Sequence, residues 1–406
     1  MLGLRPRKTI ISVLLLTGLI SVYLYFDDAI PSPPFGTFDT SNGQLTRNIT
    51  FSQPPYHAGV PQKYYNTANS TRRASAAIVV LCQNHHIPSI LASMALFEEK
   101  FNVKYGYPYV FLNDVEFTDE FKANITAATH SRVEFGLVPR EHWVQPSWID
   151  EERAAKARKK LAAGHVLYGD SVSCIGTCVA SNLGSSSAIP YYSSTNGIGG
   201  KSTSLYPFSL THWNRIEPDV KFFCDIDFDP FLFMEGEDKK YAFTISMPEN
   251  RKTVRTLWPI VKEFIANNPS LLADDNSLDM LTATTKGGAY WNMCHFWSNF
   301  EIADLDLWRS DEYLKFFNFL DSKGGFYYER WGDAPVHTFG AAMFVRKDQI
   351  HFFNEIGYWH IPYTHCPSGA AHSRGRCTCE EKDSMDRHGW SCLRHYDALF
   401  NASQSP

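Results

Sequence analysis

Residues 76–114 read AAIVVLCQNHHIPSILASMALFEEKFNVKYGYPYVFLND and alternate between two kinds of hydrophobic pattern. The stretch begins with a short apolar run, Ala76–Cys82, which is typical of a buried strand. Ser89–Lys100 follows with apolar residues at helical spacing, and Tyr109–Leu112 is a second apolar run. The order of strand, helix and strand favours parallel strands joined by a helix.

The same alternation continues toward the carboxyl end of the chain. The pattern predicts two more strands, Val220–Ile226 and Ala242–Ile245, and three more helices, Asp150–Ala163, Thr253–Asn267 and Asp311–Leu320. Alternating strands and helices indicate an α/β fold with a mostly parallel sheet. Ligands of such sheets bind beyond the carboxyl ends of the strands, so residues that follow a strand are candidate site residues.

The composition excludes several classes of protein. The chain has 406 residues, of which 44% are hydrophobic and 20% are charged. These values exclude a disordered chain, a collagen-like repeat and a small disulfide scaffold. Binding to a phosphate backbone needs concentrated positive charge, whereas the net charge here is -5. We therefore predict that nucleic acid is not a partner.

The amino terminus has the pattern of a transmembrane signal anchor. Arg5, Arg7 and Lys8 precede Thr9–Phe26, a stretch without charged residues. As a helix this stretch spans roughly 27 Å, close to the ~30 Å hydrocarbon core of a bilayer. The basic residues place residues 1–8 in the cytoplasm. The alternative is a cleaved signal peptide, whose apolar region is shorter and ends in small residues rather than in aromatic ones.

Everything after the anchor is then luminal. Residues 27–71 are rich in Pro, Ser, Thr, Asn and Gly, which is typical of an extended stem, and residues 72–406 follow as one folded domain. Four Asn-x-Ser/Thr sequons are consistent with a luminal location: Asn48, Asn69, Asn124 and Asn401.

An acidic cluster surrounds one of the predicted strands. Glu217-Pro-Asp219 precedes the strand, and Asp225, Asp227 and Asp229 alternate at its end. Carboxylates beside a strand suit a hard divalent cation that also binds phosphates. The alternation puts the three aspartates on one face if the strand continues. The alternative interpretation is an exposed strand edge and turn.

Aromatic and polar residues are interleaved in the segment Asn292–Ile302. Large aromatic side chains with a few hydrogen-bonding groups and one carboxylate, here Glu301, are typical of a sugar-binding site. The alternative is an aromatic core strand with Glu301 on the surface.

A third cluster comprises Gly324–His337 and Gly357–His360. His360 is a candidate metal ligand, although a single histidine is more often a structural residue with satisfied hydrogen bonds. The cysteines near it suggest either zinc or disulfides, and in an oxidising lumen disulfides are favoured. These cysteines are Cys366, Cys377, Cys379 and Cys392.

Six segments occur in one order over nearly all of residues 75–402: Tyr107–Asp114, Trp148–Asp150, Tyr168–Gly169, Glu217–Lys221, His295–Ile302 and Tyr328–His337. Together they resemble the Ktr family of fungal Golgi α-1,2-mannosyltransferases. The resemblance implies a GT-A-type catalytic domain over residues 72–406 with a mixed, mostly parallel sheet, attached to the Golgi membrane by the type II anchor. It also implies transfer of mannose from GDP-mannose to protein-linked mannosylated glycans with retention, dependent on Mn²⁺, in the glycosylation of cell-wall mannoproteins.

The resemblance also implies roles for individual residues. Glu217 and His360 match the metal site, Glu301 matches the carboxylate that faces the anomeric carbon, and Asp333 matches an acceptor-side residue. We predict that Arg215 and Asp219, with Glu217, bind the donor. A retaining route then uses either a Glu301 nucleophile or front-face shielding of an oxocarbenium-like centre.

Residues 174–214 depart from the family pattern, which has Tyr-Arg-His-Met-Cys-Arg near the start of this segment. Permitted codons of residues 174–199, read from the third base of the Cys174 codon, can encode that motif. Residues 200–215 can encode splice-donor, branch-point and acceptor signals. Our hypothesis is a shifted reading frame followed by a retained intron, and the alternative is a divergent insertion. Restoring the frame removes Cys174 and Cys178 and adds one cysteine, so nine cysteines become eight.

The departing segment leaves other functions open. A chain without the family motif is expected to be a catalytically impaired member or a non-catalytic partner in Golgi glycosylation. A glycoside hydrolase with two carboxylates is a further alternative, which the metal-suited Glu217-Pro-Asp219 motif disfavours.

Overall fold

The computed structural model describes residues 59–166, 169–171, 211–285 and 288–401. Contacts divide the chain into Met1–Pro54 and Pro55–Pro406, and every described residue belongs to the second unit. The predicted anchor Thr9–Phe26, residues 27–58 of the predicted stem and residues 172–210 lie outside the described residues. Within the described ranges, no helix has the length and apolar character needed to cross a membrane.

The described residues form strands and helices in alternation. The strands are β1 (Ala76–Leu81), β2 (Tyr109–Asn113), β3 (Val133–Leu137), β4 (His212–Arg215), β5 (Lys221–Phe222), β6 (Tyr241–Phe243), β7 (Ser246–Pro248), β8 (Thr282–Thr285), β9 (Gly288–Trp291), β10 (Cys294–Phe296), β11 (Glu301–Asp304), β12 (Ile350–Phe352), β13 (Tyr358–His360) and β14 (Tyr363–His365). The helices are α1 (Ile87–Phe97), α2 (Val103–Tyr105), α3 (Asp119–Ala127), α4 (Glu151–Ala163), α5 (Pro230–Gly236), α6 (Leu257–Asn267), α7 (Leu278–Leu281), α8 (Leu305–Arg309), α9 (Asp311–Ser322), α10 (Gly325–Tyr328), α11 (Asp333–Phe344), α12 (Ala370–Arg374) and α13 (Leu393–Asn401).

Seven strands form the central sheet in the order β12-β6-β11-β4-β1-β2-β3. Four neighbouring pairs are parallel, namely β12 with β6, β4 with β1, β1 with β2 and β2 with β3. Strand β11 runs antiparallel to both of its neighbours, β6 and β4. The predicted α/β fold with a mixed, mostly parallel sheet is therefore confirmed.

Apolar layers cover both faces of this sheet, which explains the unbroken apolar run of β1. Ala77 and Val79 belong to one buried cluster, whereas Ile78 and Val80 belong to the other. Successive side chains of a strand point to opposite faces. A strand with both faces buried therefore needs an apolar residue at every position.

Most predicted elements form, with shifts at their ends. Helix α1 begins at Ile87 and continues into a π-helical segment, Glu98–Asn102. Asp150 does not begin a helix but caps α4, because its side chain accepts a hydrogen bond from the backbone N–H of Arg153 at 3.1 Å. The helix predicted from Thr253 begins only at Leu257.

The strand predicted over Val220–Ile226 is wrong beyond its first residues. Only Lys221–Phe222 is paired, as an edge of the small sheet β14-β13-β5. Cys224 then forms a disulfide with Cys377, and residues 223–227 have no strand pairing. The alternation that predicted one acidic face therefore has no strand to support it.

The three aspartates after that strand have separate structural roles. Asp225 pairs with Lys100 at 3.2 Å and Asp227 with Lys104 at 3.0 Å. Asp229 caps α5, where its Oδ1 accepts hydrogen bonds from the backbone amides that begin the helix. The predicted cation-binding face of these aspartates is wrong, because Asp225 and Asp227 are paired with lysines and Asp229 caps a helix.

Residues 59–71, which the composition assigns to the stem, contact the sheet domain. The backbone N–H of Val60 donates to Oε1 of Glu355 at 3.0 Å, and Tyr65 forms a β-bridge with Phe228. Both Val60 and Tyr65 are buried. These residues therefore pack with the folded domain rather than extending from it.

Among the described residues, three disulfides connect the carboxyl-terminal part of the chain: Cys224–Cys377, Cys294–Cys392 and Cys366–Cys379. All four cysteines that suggested either zinc or disulfides lie in these bonds. His372 lies beside Cys366 and Cys379, but their sulfur atoms are bonded to each other and offer no thiolate to a metal. Cys82 is buried without a disulfide partner among the described residues.

Candidate active site

Two predicted site residues meet at one edge of the central sheet. Strand β4 ends at Arg215 and strand β11 begins at Glu301. These strands are antiparallel with Ile302 opposite Asn214, so Glu301 occupies the next register position, opposite Arg215. Both side chains are buried. The site thus lies at the carboxyl end of β4, where a ligand is expected in an α/β sheet.

Arg215 connects two of the predicted site carboxylates. One guanidinium nitrogen lies 2.5 Å from Oε1 of Glu217, and another pairs with Oδ2 of Asp333, the first residue of α11. Arg215 is 8% exposed, so these charges are largely withdrawn from water and depend on each other.

The electrostatics of this cluster favour an ionised Asp333. Burial opposes the charged form of its carboxyl group, but the positive charge of Arg215 and the hydrogen bonds from Arg215 and from the backbone N–H of Ala334 outweigh burial. The pKa of Asp333 is consequently held below its ordinary value. Asp333 is therefore a carboxylate at neutral pH.

Glu217 also faces His360, the second predicted metal ligand. Oε2 of Glu217 lies 3.7 Å from Nε2 of His360, and each side chain is 23% exposed. His360 belongs to β13, which pairs with β5 four residues after Glu217. The small sheet β14-β13-β5 therefore brings the two predicted ligands together.

The hydrogen bonding of His360 suits a metal ligand. Its Nδ1 lies 3.2 Å from the carbonyl oxygen of Ile361. Because a carbonyl oxygen only accepts, this contact requires a hydrogen on Nδ1, and Nε2 is then the nitrogen on the side of Glu217 that a metal would use. A carboxylate oxygen and an imidazole nitrogen at this separation fit one divalent cation.

Glu301 is fully buried, so the alternative of a surface glutamate is wrong. Its Oε2 accepts hydrogen bonds from the hydroxyl of Tyr241 at 3.0 Å and from Nδ1 of His337 at 3.1 Å. Its Oε1 has no hydrogen-bond partner among the described residues. A buried carboxylate with one satisfied and one free oxygen is able to act on a bound ligand.

Asp219 is the predicted site residue that the structure does not bring into this cluster. It is exposed and adopts a left-handed backbone conformation with φ 64°. In the described part of the chain it forms no ion pair, whereas Arg215, Glu217, Asp333 and His360 are linked by successive contacts.

Tyr241 and His337 contact Glu301 but are not among the predicted site residues. The spacing from Asp333 to His337 is a usable signal, because residues four apart share one face of a helix. Tyr241 has no comparable signal, since it reaches Glu301 only through the pairing of β6 with β11.

Comparison with known proteins gives a family match over most of the chain. The model of a family described as glycolipid 2-alpha-mannosyltransferase matches residues 45–400. Alpha-1,2 mannosyltransferase KTR1 of Saccharomyces cerevisiae is 38% identical, over 97% of this chain and 93% of its own length. O-glycoside alpha-1,2-mannosyltransferase omh1 of Schizosaccharomyces pombe is 42% identical, over 82% of this chain and 80% of its own length.

Solved structures with the same fold include two related proteins. Core-mannan synthase A (CmsA/Ktr4) from Aspergillus fumigatus, in its Mn/GDP form, has a TM-score of 0.68 at 34% identity and covers 85% of this chain and 88% of its own. The mannosyltransferase Ktr4p from S. cerevisiae, in complex with GDP, has a TM-score of 0.73 at 33% identity and covers 86% of each chain.

Proposed function

Because the chain belongs to the glycolipid 2-alpha-mannosyltransferase family, we propose that it transfers mannose from GDP-mannose to a 2-hydroxyl of a mannosylated, protein-linked glycan, with retention of configuration. One observation supports this function most directly. At the edge of the sheet a metal-suited pair, Glu217 and His360, lies near two further carboxylates, Asp333 and Glu301. Arg215 connects the two groups, because its guanidinium contacts both Glu217 and Asp333.

In this proposal Glu217 and His360 hold Mn²⁺ at the diphosphate of the donor. The Mn/GDP form of CmsA and the GDP complex of Ktr4p support Mn²⁺ and a GDP-linked donor. When bound, the ion neutralises charge that develops on the departing diphosphate. Arg215 orients the Glu217 carboxylate through its 2.5 Å contact and leaves Oε2 of Glu217 toward His360.

The other two carboxylates act on the sugars. Asp333 is ionised and accepts a hydrogen bond from the acceptor hydroxyl, which orients that hydroxyl for attack. Glu301 faces the anomeric carbon. In a double displacement Glu301 is the nucleophile, and in a front-face reaction its charge stabilises the oxocarbenium-like centre. The double displacement needs a carboxylate oxygen that is not held by hydrogen bonds, and Oε1 of Glu301 has no such partner among the described residues.

We place the enzyme in the Golgi membrane, with Thr9–Phe26 as a type II anchor and the catalytic domain in the lumen, where it acts on cell-wall mannoproteins. Three disulfides support this location, because disulfides form and persist in oxidising compartments. The basic residues before Thr9 support the orientation.

A second candidate function follows from residues 174–214, which depart from the family motif. On this reading the chain is a catalytically impaired member or a non-catalytic Golgi partner. Residues His212–Arg215, at the end of the segment and just beyond it, nevertheless form the buried strand β4. The part of the segment that the structure describes is thus compatible with the family fold.

A comparison of two full-length proteins tests both functions. One has the chain as written, and the other has residues 174–214 replaced by the sequence of the restored reading frame. Each is incubated with GDP-mannose, Mn²⁺ and methyl-α-mannoside, and disaccharide is measured by chromatography and NMR. We expect an α-1,2-linked disaccharide from the second protein and little or none from the first. Absence of product from both proteins contradicts mannosyl transfer, and equal activity of both contradicts the frame hypothesis.

A further inference from the structure

The carboxylate of Glu301 is bound on one side only. Oε2 accepts two hydrogen bonds, from Tyr241 and His337, whereas Oε1 has no partner among the described residues. All three side chains are fully buried. A buried carboxylate oxygen without a donor costs free energy, and a catalytic role is one arrangement that accounts for such an atom.

We propose that Tyr241 and His337 are positioning residues for the Glu301 carboxylate. They hold Oε2, and this leaves Oε1 as the atom that faces the anomeric carbon of the donor. The inference rests on the proposed function, because it assigns a task to the free oxygen. Neither positioning residue touches the reacting atoms.

The identity of the two donors explains why Glu301 keeps its reactivity. An ionised carboxylate only accepts hydrogen bonds, so the contacts require a hydroxyl hydrogen on Tyr241 and a hydrogen on Nδ1 of His337. Arg215, the cation at this edge of the sheet, is already paired with Glu217 and Asp333. Glu301 is therefore oriented by hydrogen bonds without a direct ion pair to that guanidinium.

Both positioning side chains are fixed by packing. The His337 ring stacks on Trp308, with ring centroids 4.5 Å apart and planes inclined by 25°. The Tyr241 ring contacts Phe296 at 5.3 Å and the same Trp308 at 6.0 Å. Trp308 belongs to α8, which directly follows β11. The segment that contains Glu301 therefore also contains the aromatic ring against which Tyr241 and His337 pack.

Helix α11 links this support to the acceptor side. Asp333 and His337 lie four residues apart on that helix and therefore share one face. One helix therefore contains both the acceptor-side carboxylate, Asp333, and His337, which binds Glu301. A correct distance between the two reacting sugars depends on the rigidity of this helix, because small misplacements have large effects on rate.

Kinetics of single variants test the inference in the full chain with the restored frame. Tyr241→Phe keeps the ring and removes one donor, and we expect kcat to fall about 10-fold while KM for GDP-mannose changes less than about 2-fold. His337→Ala is expected to lower kcat about 10²-fold. His337→Asn places an amide nitrogen near the position of Nδ1 and is expected to restore most of that loss.

Tyr396→Phe is the matched control. Its hydroxyl is also buried and donates to the carbonyl oxygen of Ile350 at 2.8 Å, away from Glu301. We expect unchanged kcat in this variant. Unchanged kcat in both Tyr241→Phe and His337→Ala overturns the inference. An equal loss in Tyr396→Phe, or a loss confined to KM, shows a structural role and overturns it as well.

A spectroscopic measurement separates this inference from the proposed function. In the protein labelled with ¹⁵N-histidine, we expect a hydrogen on Nδ1 of His337 and a shift of that signal in Glu301→Gln. A Nδ1 signal that does not respond to Glu301→Gln contradicts the positioning contact, whatever the activity. A responsive signal in a protein that transfers no mannose supports the contact and contradicts only the proposed function.

Discussion

The two sides of the candidate active site hold their carboxylates in different ways. Glu217 and Asp333 share the guanidinium of Arg215 as ion pairs. Glu301 is bound by the hydroxyl of Tyr241 and the imidazole of His337, and one of its oxygens stays free. Charge pairing fixes position and lowers proton affinity, whereas hydrogen bonding to one oxygen fixes position and preserves a reactive atom.

This difference separates two kinds of effect in variants. In the proposed function Glu301 acts on the substrate, so the effect of its loss is expected in the rate. Loss of Arg215 leaves two carboxylates without their partner, so the effect is expected in folding stability as well.

The largest effect is expected for Glu301→Gln. The amide keeps the size of the side chain but removes the negative charge, and in the protein with the restored reading frame we expect kcat to fall about 10³-fold or more. Glu355→Gln is the matched control, because Glu355 is also a buried glutamate and accepts a hydrogen bond from the backbone of Val60. Kinetics of both variants decide the comparison. A fully active Glu301→Gln would make the assignment of Glu301 untenable.

Arg215→Met is expected to destabilise the folded protein. Removing one partner of buried charges costs about 3–5 kcal/mol, which chemical denaturation measures. Arg346→Met is the control, because Arg346 forms exposed pairs with Asp238 and Asp348, each worth less than about 1 kcal/mol. If the two variants lose equal stability, the ion pairs of Arg215 do not contribute the predicted free energy of unfolding.

The pH dependence of stability sharpens this result. The pKa of Asp333 is lowered in the folded protein, so its ionised form stabilises the fold. That contribution is present above the unfolded pKa of about 3.9 and is lost as pH falls through the lower folded pKa. We therefore expect the stability difference between wild type and Arg215→Met to be full near pH 6 and to shrink toward acid pH. A difference that stays constant down to that range argues against an Arg215–Asp333 origin.

His360→Ala tests the metal-suited pair. Removal of the imidazole leaves Glu217 as the only one of the two proposed ligands, and we expect the affinity for Mn²⁺ to fall about 10²-fold in calorimetric titration. His372→Ala is the control, because the neighbouring sulfur atoms of Cys366 and Cys379 form a disulfide and no metal site. Equal loss in both variants would place the metal elsewhere.

The first part of the fold could be predicted because its signal is local. In β1 and β2 the apolar runs are continuous, since both faces of the sheet are covered, and each run can be recognised without knowledge of distant residues. The stretch after Phe222 could not be predicted in this way. There Cys224 is bonded to Cys377, Asp225 pairs with Lys100 and Asp227 pairs with Lys104, and none of these partners is visible in the local pattern.

The candidate site divides along the same line. Glu217, Glu301, Asp333 and His360 belong to motifs that resemble a family, so the sequence predicts them. The contact of Tyr241 with Glu301 requires the pairing of β6 with β11, which joins segments about 60 residues apart. No hydrophobic pattern within either segment predicts that pairing. The sequence also grouped Asp219 with Glu217 by proximity in the chain, whereas the structure leaves Asp219 exposed.

The smallest effect is expected for Asp219→Asn. The side chain is exposed and forms no ion pair within the described ranges, so its charge is screened by water and its loss is expected to change KM for GDP-mannose less than about 3-fold. Glu217→Gln, two residues earlier, serves as the matched comparison, because Glu217 contacts both Arg215 and His360. A large increase in KM in Asp219→Asn would extend the donor site to this exposed carboxylate. A small change in KM would indicate that the charged residues that bind the donor are those clustered around Arg215.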